Sequence, residues 1–575
     1  MTWFITDIAR LKSEREGLET FALRNDWFVP LGWRLEDNMR LVLDAEIAVG
    51  SRTFPVFLRY PEMFPFSPPS VFPRGDDSRW SSHQFGAGGE LCLEFGPDNW
   101  TPEMSGVQIV ESAHRLLSLE NPSEGEPEFV ASRHLETLGQ QLRTAYTRLL
   151  VTRDLAAFFE TVPPNVTVTG NLLACYHARS STYVLSEVTA PTDLVWVNTG
   201  IPKPLVEEAR DRAVGIFKLD ESVPWPPTTD LPSFKAGCVG MGFEAAHTFA
   251  IILRGPEIHF YFLSEKDQSA SLRPILPPQR FHPRLDGPHE VITEKSVALI
   301  GSGSIGSKVG TTLARSGVAR FFLADDDILF PDNFVRHELD WRDVGSHKAD
   351  ALSRRMSLVN PAAQVEVLRA RLGGQESSTS AETLMKLIGD CDLIFDATAN
   401  PDILNLMSAI AAIRKKPLVW AEVFGGGIGG LIARCRPDVE PSPQHMRRAI
   451  ENWFADKNAP PVRSRRSYET GSEGAPFIAD DADVSAIAAH AARLAIDLLI
   501  GRDPSLFPHS VYAIGLGVGS VFDQPFQTFP IEVGAPAPGE PAPELTPDEV
   551  TDEFARLMKL IKARANEASA AVKDS

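Results

Sequence analysis

Residues 297 to 310 read VALIGSGSIGSKVG, and no other stretch of the chain restricts its fold as much. An apolar run breaks at Gly301, Gly303 and Gly306 and then resumes with helical spacing. Strand, glycine turn and helix in direct succession make the opening unit of a parallel α/β sheet. The glycines permit a tight turn. They also let backbone N–H groups approach a phosphate at the helix N-terminus, where the helix dipole favours negative charge. The spacing alone is shared by NAD, FAD and ATP sites, and a tight turn without any ligand also satisfies it.

The alternation continues beyond this unit. SVALIG, RFFLAD, VEVLRA, LIFDAT and LVWAEV read as strands with helical stretches between them, so a parallel sheet is expected from 297 to about 533. The second strand ends in Asp325, Asp326 and Asp327, followed by Asn333, Arg336 and Lys348, and Asp396 ends a later strand. Ligands of open α/β sheets bind outside the C-terminal ends of the strands. An acid after the second strand suits a ribose, in NAD proteins as well. Arg336 and Lys348 suit a triphosphate, and Asp396 suits Mg²⁺, a hard cation that prefers oxygen. Hydride transfer needs no such set. An NAD-dependent oxidoreductase and a non-catalytic scaffold with a nucleotide-binding domain are the alternatives to an ATP-dependent enzyme.

The remaining sequence divides by pattern. Residues 6–21 read as helix, 40–48 and 53–60 as strands, and 107–118 as helix, with a further helical pattern reaching 159. The proline-dense YPEMFPFSPPSVFP at 60–73 cannot be helical. Short β-rich runs fill 160–275, where Cys175 and Cys238 read as buried apolar residues. After a proline-rich linker at 534–544, Thr546, Pro547 and Glu549 start a helix with an apolar side at Leu557, Leu560 and Ile561, expected to dock on the body, with a partner as the alternative. The domain expectation is therefore 1–159, 160–275, 276–533 and 534–575.

Composition narrows the function classes. A net charge of −20 over 575 residues argues against a nucleic-acid or anionic-membrane partner, and Arg463, Arg465 and Arg466 form only a small basic patch, read as a solvated loop. The five cysteines contain no CxxC pair, so neither a disulfide framework nor a four-thiolate zinc is expected. The opening MTWFITDIARLKSERE lacks a basic segment followed by an apolar one, and 486–500 is interrupted by His490, Arg493 and Asp497. A cytoplasmic location is expected.

Residues 280 to 501 resemble the ThiF/MoeB/ubiquitin-activating adenylyltransferases, which have a Rossmann-like fold. The carriers are GSGSIG, DDDILFPDNFVRH with Asp325, Asp327, Asn333 and Arg336, then Lys348 in GSHKAD, Asn360-Pro361, and DATAN with Asp396 and Asn400. The resemblance implies ATP and Mg²⁺, with ribose on Asp325, phosphates on Asn333, Arg336 and Lys348, and Mg²⁺ on Asp396. It also implies that Arg280 or Arg284 reaches the triphosphate, often across a homodimer. Mg²⁺ and cations would neutralise the charge that builds up as a carboxylate attacks the α-phosphorus. GGGIGG at 425–430 would give an extended C-terminus close backbone access, or would simply form a turn or bulge.

A second resemblance covers about residues 1–150. YPEMFPFSPPSVFP, GELCLEF and NWTP look like the ubiquitin-conjugating α+β fold, whose cysteine at the position of Cys92 carries an acyl group as a thioester. A thiolate is a strong nucleophile and a good leaving group, as that task requires. The family's assisting Asn, eight residues before the cysteine, is replaced by Gln84 beside His83; Asp98 and Asn99 are further candidates to assist. Fusion of the two domain types resembles bacterial enzymes of CBASS antiviral operons and of ubiquitin-like conjugation operons. The implied partner is the C-terminus of a ubiquitin-like protein or of a cGAS-like nucleotidyltransferase, with a target lysine as final acceptor.

One expected part is missing. The loop before the last helix, residues 467–490, contains no cysteine to receive the adenylate. Three routes stay open: direct transfer to Cys92, transfer to Cys435 between Arg434 and Arg436, or an oxyester on Ser485 or Ser472. His490 follows Ser485 as a possible base, and Cys391 reads as core.

Overall fold

Along Leu41–Val49 buried and half-buried residues alternate, the period of a sheet with one covered face. The computed structural model describes residues 2–75, 78–81, 83–121, 138–142, 145–177, 180–189, 195–208, 210–277, 287–370, 372, 378–459, 479–536 and 546–571. The chain divides into two compact units, Met1–Thr144 and Ala145–Ser575.

In the first unit, β1 (Phe28–Leu35), β2 (Leu41–Val49), β3 (Arg52–Arg59) and β4 (Ser70–Pro73) form an antiparallel meander in chain order. After the short α1 (Trp3–Thr6), helix α2 (Ile8–Arg24) packs on β1, and α3 (Gly106–Glu120) packs on β2 and β4. Phe28, Leu43, Ile47, Val56, Ile109 and Leu117 are at its core. A short α4 (Leu138–Gln141) follows. The strand reading omitted β1 because FVPLGWRL contains Pro30 and Gly32. The register shifts between these two residues, and an edge strand tolerates both.

The second unit opens with β5 (Thr147–Leu150) and α5 (Arg153–Thr161). The long helix expected to reach 159 is thus corrected: β5 pairs with a neighbouring strand of the next sheet, whose ladder outweighs local helical pattern. That sheet also holds β6 (Thr167–His177), β7 (Ser180–Thr189), β8 (Val195–Val197), β9 (Arg210–Leu219), β10 (Phe249–Arg254), β11 (Glu257–Ser264), β12 (Ser269–Arg273) and β13 (Ile275–Leu276). Helices α6 (Lys203–Glu208) and α7 (Leu231–Gly240) interrupt it. Cys238 is buried and Cys175 half-buried there, and burial raises both thiol pKa values.

The third sheet contains all five strands expected from the alternation: β14 (Ser296–Ile300), β15 (Arg320–Ala324), β16 (Gln364–Leu368), β17 (Leu393–Asp396) and β18 (Leu418–Phe424). They are mutually parallel, linked by α8 (Ser304–Arg315), α9 (Lys348–Val359), α10 (Ser378–Asp390) and α11 (Pro401–Arg414). The expectation of a parallel sheet reaching 533 needs correction. Antiparallel strands β19 (Gly429–Cys435), β20 (Val511–Gly515) and β21 (Thr528–Pro530) complete the order β16-β15-β14-β17-β18-β19-β20-β21. The turn between β18 and β19 is too short for the crossover that parallel pairing requires. Helices α12 (Pro443–Asp456) and α13 (Asp481–Ile500) follow β19.

The last helix, α14 (Pro547–Ala571), starts with the expected pairing of Thr546 and Glu549 side chains. Its apolar side does not dock as expected: Phe554, Leu557, Leu560 and Ile561 are exposed. Among the described residues no helix is long and apolar enough to cross a membrane.

Candidate functional site

The three glycines of the first turn have different jobs. Gly301 ends β14 with φ +87°, and its N–H donates to the Ala324 carbonyl at 2.9 Å. A Cβ on Gly306 would lie 1.9 Å from the Gly301 carbonyl oxygen, so α8 approaches β14 this closely only without a side chain there. A Cβ on Gly303 would meet nothing within 4 Å. The protein's own atoms do not require glycine at 303. The residue caps α8 and faces a cavity of about 380 Å³.

Asn333, Arg336 and Lys348 line the same cavity, together with His337, Thr398 and Gly426. Lys348 begins α9 and is 8% exposed. Its N–H donates to the Asp327 carbonyl at 2.9 Å, and its ammonium pairs with the Asp327 carboxylate. Burial works to raise the Asp327 pKa, but the Lys348 ammonium outweighs it and holds the carboxyl below its usual range. Asp325, at the end of β15, accepts N–H bonds from Ser302 at 2.6 Å and Asp327 at 2.8 Å. Its burial prevails over these bonds and raises its pKa. The Asn333 side chain accepts the Phe330 N–H at 3.0 Å, which shapes the turn that presents Arg336.

Asp396 ends β17 and is 2% exposed. One carboxylate oxygen accepts both the Thr398 N–H at 2.9 Å and the Thr398 hydroxyl at 2.6 Å. Among the described residues those bonds leave the other oxygen unused. Burial pushes the pKa up to about 6 against the opposing effect of Thr398. A buried carboxylate with one unused oxygen fits a bound cation. Among the described residues no group of three or more His, Cys, Asp or Glu could hold a metal by itself. The arrangement therefore fits Mg²⁺ held by a carboxylate and phosphate oxygens, without an all-protein cage.

Asp396 lines an adjoining cavity of about 410 Å³, and Ala399, with φ +52°, lies on the walls of both. The loop from Ala397 to Asn400 thus stands between them, and Asn400 caps α11 by accepting the Asp402 N–H. The GGGIGG segment forms a turn: Gly425, Gly426 and Gly427 have φ of +61°, +67° and +100°. Side chains at Gly427, Gly429 and Gly430 would collide with Asp483, Phe522 and Ile487, so packing accounts for these three.

Other predicted residues are not brought together. Arg280, Arg284 and Ser472 lie outside the described residues, as does the Arg463–Arg466 patch. Cys435 is 4% exposed, and its thiol donates to the Pro441 carbonyl. Burial and then the Glu440 carboxylate push its pKa up to about 12, which disfavours Cys435 among the three open routes. The Arg434 guanidinium is directed to Glu440, Ser505 and the Phe507 carbonyl. Ser485 donates to Asp481 at 3.4 Å, and no hydrogen bond joins it to His490 among the described residues. Cys391 is buried core, as expected, with its pKa raised to about 11 by burial.

Two residues escaped sequence reasoning. His337 is 8% exposed; its Nδ1 accepts the Leu339 N–H, which leaves Nε2 to donate to the Ser302 carbonyl at 2.8 Å. Burial pulls its pKa down to about 4, so the ring is neutral near pH 7 and ties the Arg336 turn to the glycine loop. Its place directly after Arg336 was the available signal. Lys308, 9% exposed on α8, pairs with Asp481 at 2.7 Å and joins α8 to the start of α13.

In the first unit Cys92 is half-buried in irregular backbone, just past an isolated bridge between Gln84 and Leu91. The apolar run GELCLEF reads as a short strand, but the backbone at Cys92 is not one, and the Cys92 N–H donates to the His83 carbonyl at 2.6 Å. Gln84 is buried; it accepts the Trp80 N–H at 2.8 Å and donates to the Gly89 carbonyl at 3.1 Å. His83 lies 3.8 Å from Glu120. Asn99 accepts the Gly96 N–H and donates to the Glu94 carbonyl, so its amide closes its own loop, while Asp98 is exposed. Buried Glu14 accepts from Tyr60 and from the Gly106 N–H, tying α2 to the start of α3.

The ThiF family model matches residues 280–465. The ATP-dependent ubiquitin transferase-like protein Cap2 of Escherichia coli (strain TW11681) is 28% identical over 228 residues, 37% of this chain and 36% of the relative. The sulfur carrier protein ThiS adenylyltransferase of Escherichia coli (strain K12) is 29% identical over 144 residues, 25% of this chain and 54% of the relative. The matches thus span about a third and about half of those relatives. A crystal structure of E. coli MccB with AMPCPP and MccA superposes with a TM-score of 0.34 at 16% identity, over 45% of this chain and 68% of that one. The glycine turn, the Asp325-to-Lys348 series and Asp396 all fall inside the matched segment: the chain carries a ThiF domain, homologous to Cap2 and to the ThiF-type adenylyltransferases.

Proposed function

We propose that this chain adenylates the C-terminal carboxylate of a ubiquitin-like or other small protein with MgATP and transfers the acyl group to Cys92. The observation that carries the reading is the convergence of Gly303, Asn333, Arg336 and Lys348 on one cavity, with Asp396 on the adjoining loop. Backbone N–H groups at the start of α8 and the two cations hold the triphosphate, and Asp325 takes the ribose. Asp396 would hold Mg²⁺, which would supply positive charge against that of the α-phosphate. A carboxylate oxygen of the incoming protein bonds to the α-phosphorus as the bond to the bridging oxygen breaks, releasing pyrophosphate. The Cys92 thiolate then attacks the acyl carbon, AMP leaves, and a target lysine amine finally displaces the thiol as an amide forms.

Burial of Cys435 and the bonding of Ser485 to Asp481 favour direct transfer to Cys92 over a relay through either of those two residues. The names of the Cap2 and ThiS-adenylyltransferase relatives support protein activation as the task. In this reading residues 1–144 are a conjugating-type domain, shorter than the expected 1–159 because β5 and α5 belong to the second unit; 145–275 is a β-rich connector and 276–533 the adenylation domain. The last, 534–575, is a linker and helix. Pairing of two adenylation domains, cytoplasmic action and a role in antiviral defence belong to the same proposal. Incubation of the full chain with labelled pyrophosphate, ATP and a candidate ubiquitin-like carrier protein tests the reading. Label entering ATP only when that protein keeps its C-terminal residue supports it; no exchange with such a protein sinks it.

A further inference from the structure

We infer, building on the adenylation reading, that the 410 Å³ cavity beside Asp396 takes the last side chain of the activated protein, and that this side chain is large and apolar. Position argues first. In the sheet order, Asp325 ends the strand on one side of β14, while Asp396 ends β17 on the other, with β18 and β19 beyond it. A nucleotide laid from Asp325 across the glycine turn brings its phosphates toward Asp396. The attacking carboxylate must then arrive from the β18 side, where this cavity lies.

The lining gives the chemistry. Leu404 comes from α11, Trp420 from β18, Leu431 from β19, and Ile450 and Phe454 from α12. All five are buried. A volume of about 410 Å³ falls within the roughly 300–1,000 Å³ that small-molecule sites use. A terminal glycine would leave it unfilled. Its charged wall residues are Asp396, Glu422 and Glu451 against Arg447 alone, an acidic excess that disfavours an acidic side chain by like charge. A leucine-sized group would instead remove apolar surface from water on both partners.

Stable adenylate mimics test this without the unidentified protein. N-acetyl-glycyl and N-acetyl-leucyl sulfamoyl adenosine are titrated into the full chain, into Leu404→Trp and, from the facing helix, Ile450→Trp, with ATP titrated alongside. The leucyl mimic should bind at least about tenfold more tightly than the glycyl one, as burial of one leucine side chain allows. Either tryptophan should erase that preference while ATP and glycyl-mimic affinities hold, which also shows that the variant is folded. Equal affinity of the two mimics for the unmodified chain overturns the inference and leaves adenylation standing. So does a loss of ATP affinity matching the loss of leucyl-mimic affinity in a folded variant, because the cavity would then hold the base. If neither ATP nor either mimic binds the unmodified chain, the adenylation reading falls, and this inference with it.

Discussion

The cavity at Gly303 in Ala145–Ser575 and the turn before Cys92 in Met1–Thr144 are both built on glycines, used for opposite ends. At Gly303 a side chain would stand in open space, so the backbone there is left for something other than the protein. At Gly89 a Cβ would lie 1.9 Å from the Phe85 carbonyl oxygen, and the glycine serves only to close the turn. The polar groups differ in the same way. Asp396 keeps an oxygen unused at the cavity, whereas Gln84 and Asn99 use their amides on neighbouring backbone. Under the proposed function the first region leaves groups open for a charged ligand, and the second has only a thiol to present.

The strongest way to break this comparison is to separate the two chemistries. Cys92→Ser should abolish the thiol-labile adduct with the carrier protein altogether while pyrophosphate exchange continues at the unmodified rate, read by gel shift and by label incorporation. Loss of exchange in that variant would show that the two regions are not chemically separate. Asp396→Asn should instead lower exchange by about 10²–10³-fold, the scale for removing one preorganised charge-stabilising group, and the Cys92 adduct should fall with it.

That variant also sharpens the contrast through pH. The folded pKa of Asp396 is raised from 3.8 to about 6, so the native state binds the proton more tightly than the unfolded chain does. Its contribution to stability is fully present below 3.8 and is lost as pH rises through 6. Asp396→Asn should therefore melt higher than the unmodified protein at pH 7.5 without Mg²⁺ or nucleotide, by up to about 3 kcal/mol. The advantage should vanish near pH 4 in calorimetry.

Smaller effects test the satisfied side. Gln84→Ala leaves the buried Trp80 N–H without its acceptor and should cost about 1–3 kcal/mol in urea titration of the full chain. The rate at which an amine discharges the Cys92 thioester, measured well below melting, should not change. Slow discharge with unaltered stability would make Gln84 a chemical assistant. Least of all, Cys435→Ala should leave the adduct yield as it was, since that thiol is buried with a pKa of about 12.

How much was legible follows from how local each signal is. The glycine turn and all five parallel strands could be read because their cause lies within a few residues. The antiparallel edge β19–β21 could not, because it depends on whether a glycine run makes a hairpin or precedes a crossover. Strand β1 was hidden by Pro30 and Gly32, which only its edge position tolerates. Gln84 matched a catalytic position by count along the chain, yet its bonds to Trp80 and Gly89 exist only once the turn has folded. Cys435 between two arginines looked activated in sequence; in space Arg434 serves Glu440 and burial governs the thiol. His337 became visible only when the Arg336 turn was seen against Ser302.

The central claim is that the cavity at Gly303 holds MgATP, and titration calorimetry tests it without any protein substrate. ATP with Mg²⁺ and, separately, NAD⁺ are added to the full chain and to Lys348→Ala and Asp396→Asn. The account predicts saturable ATP binding in the unmodified chain, weakened by both substitutions, with NAD⁺ binding more weakly than ATP. Tighter binding of NAD⁺, or ATP binding indifferent to both substitutions, would contradict it.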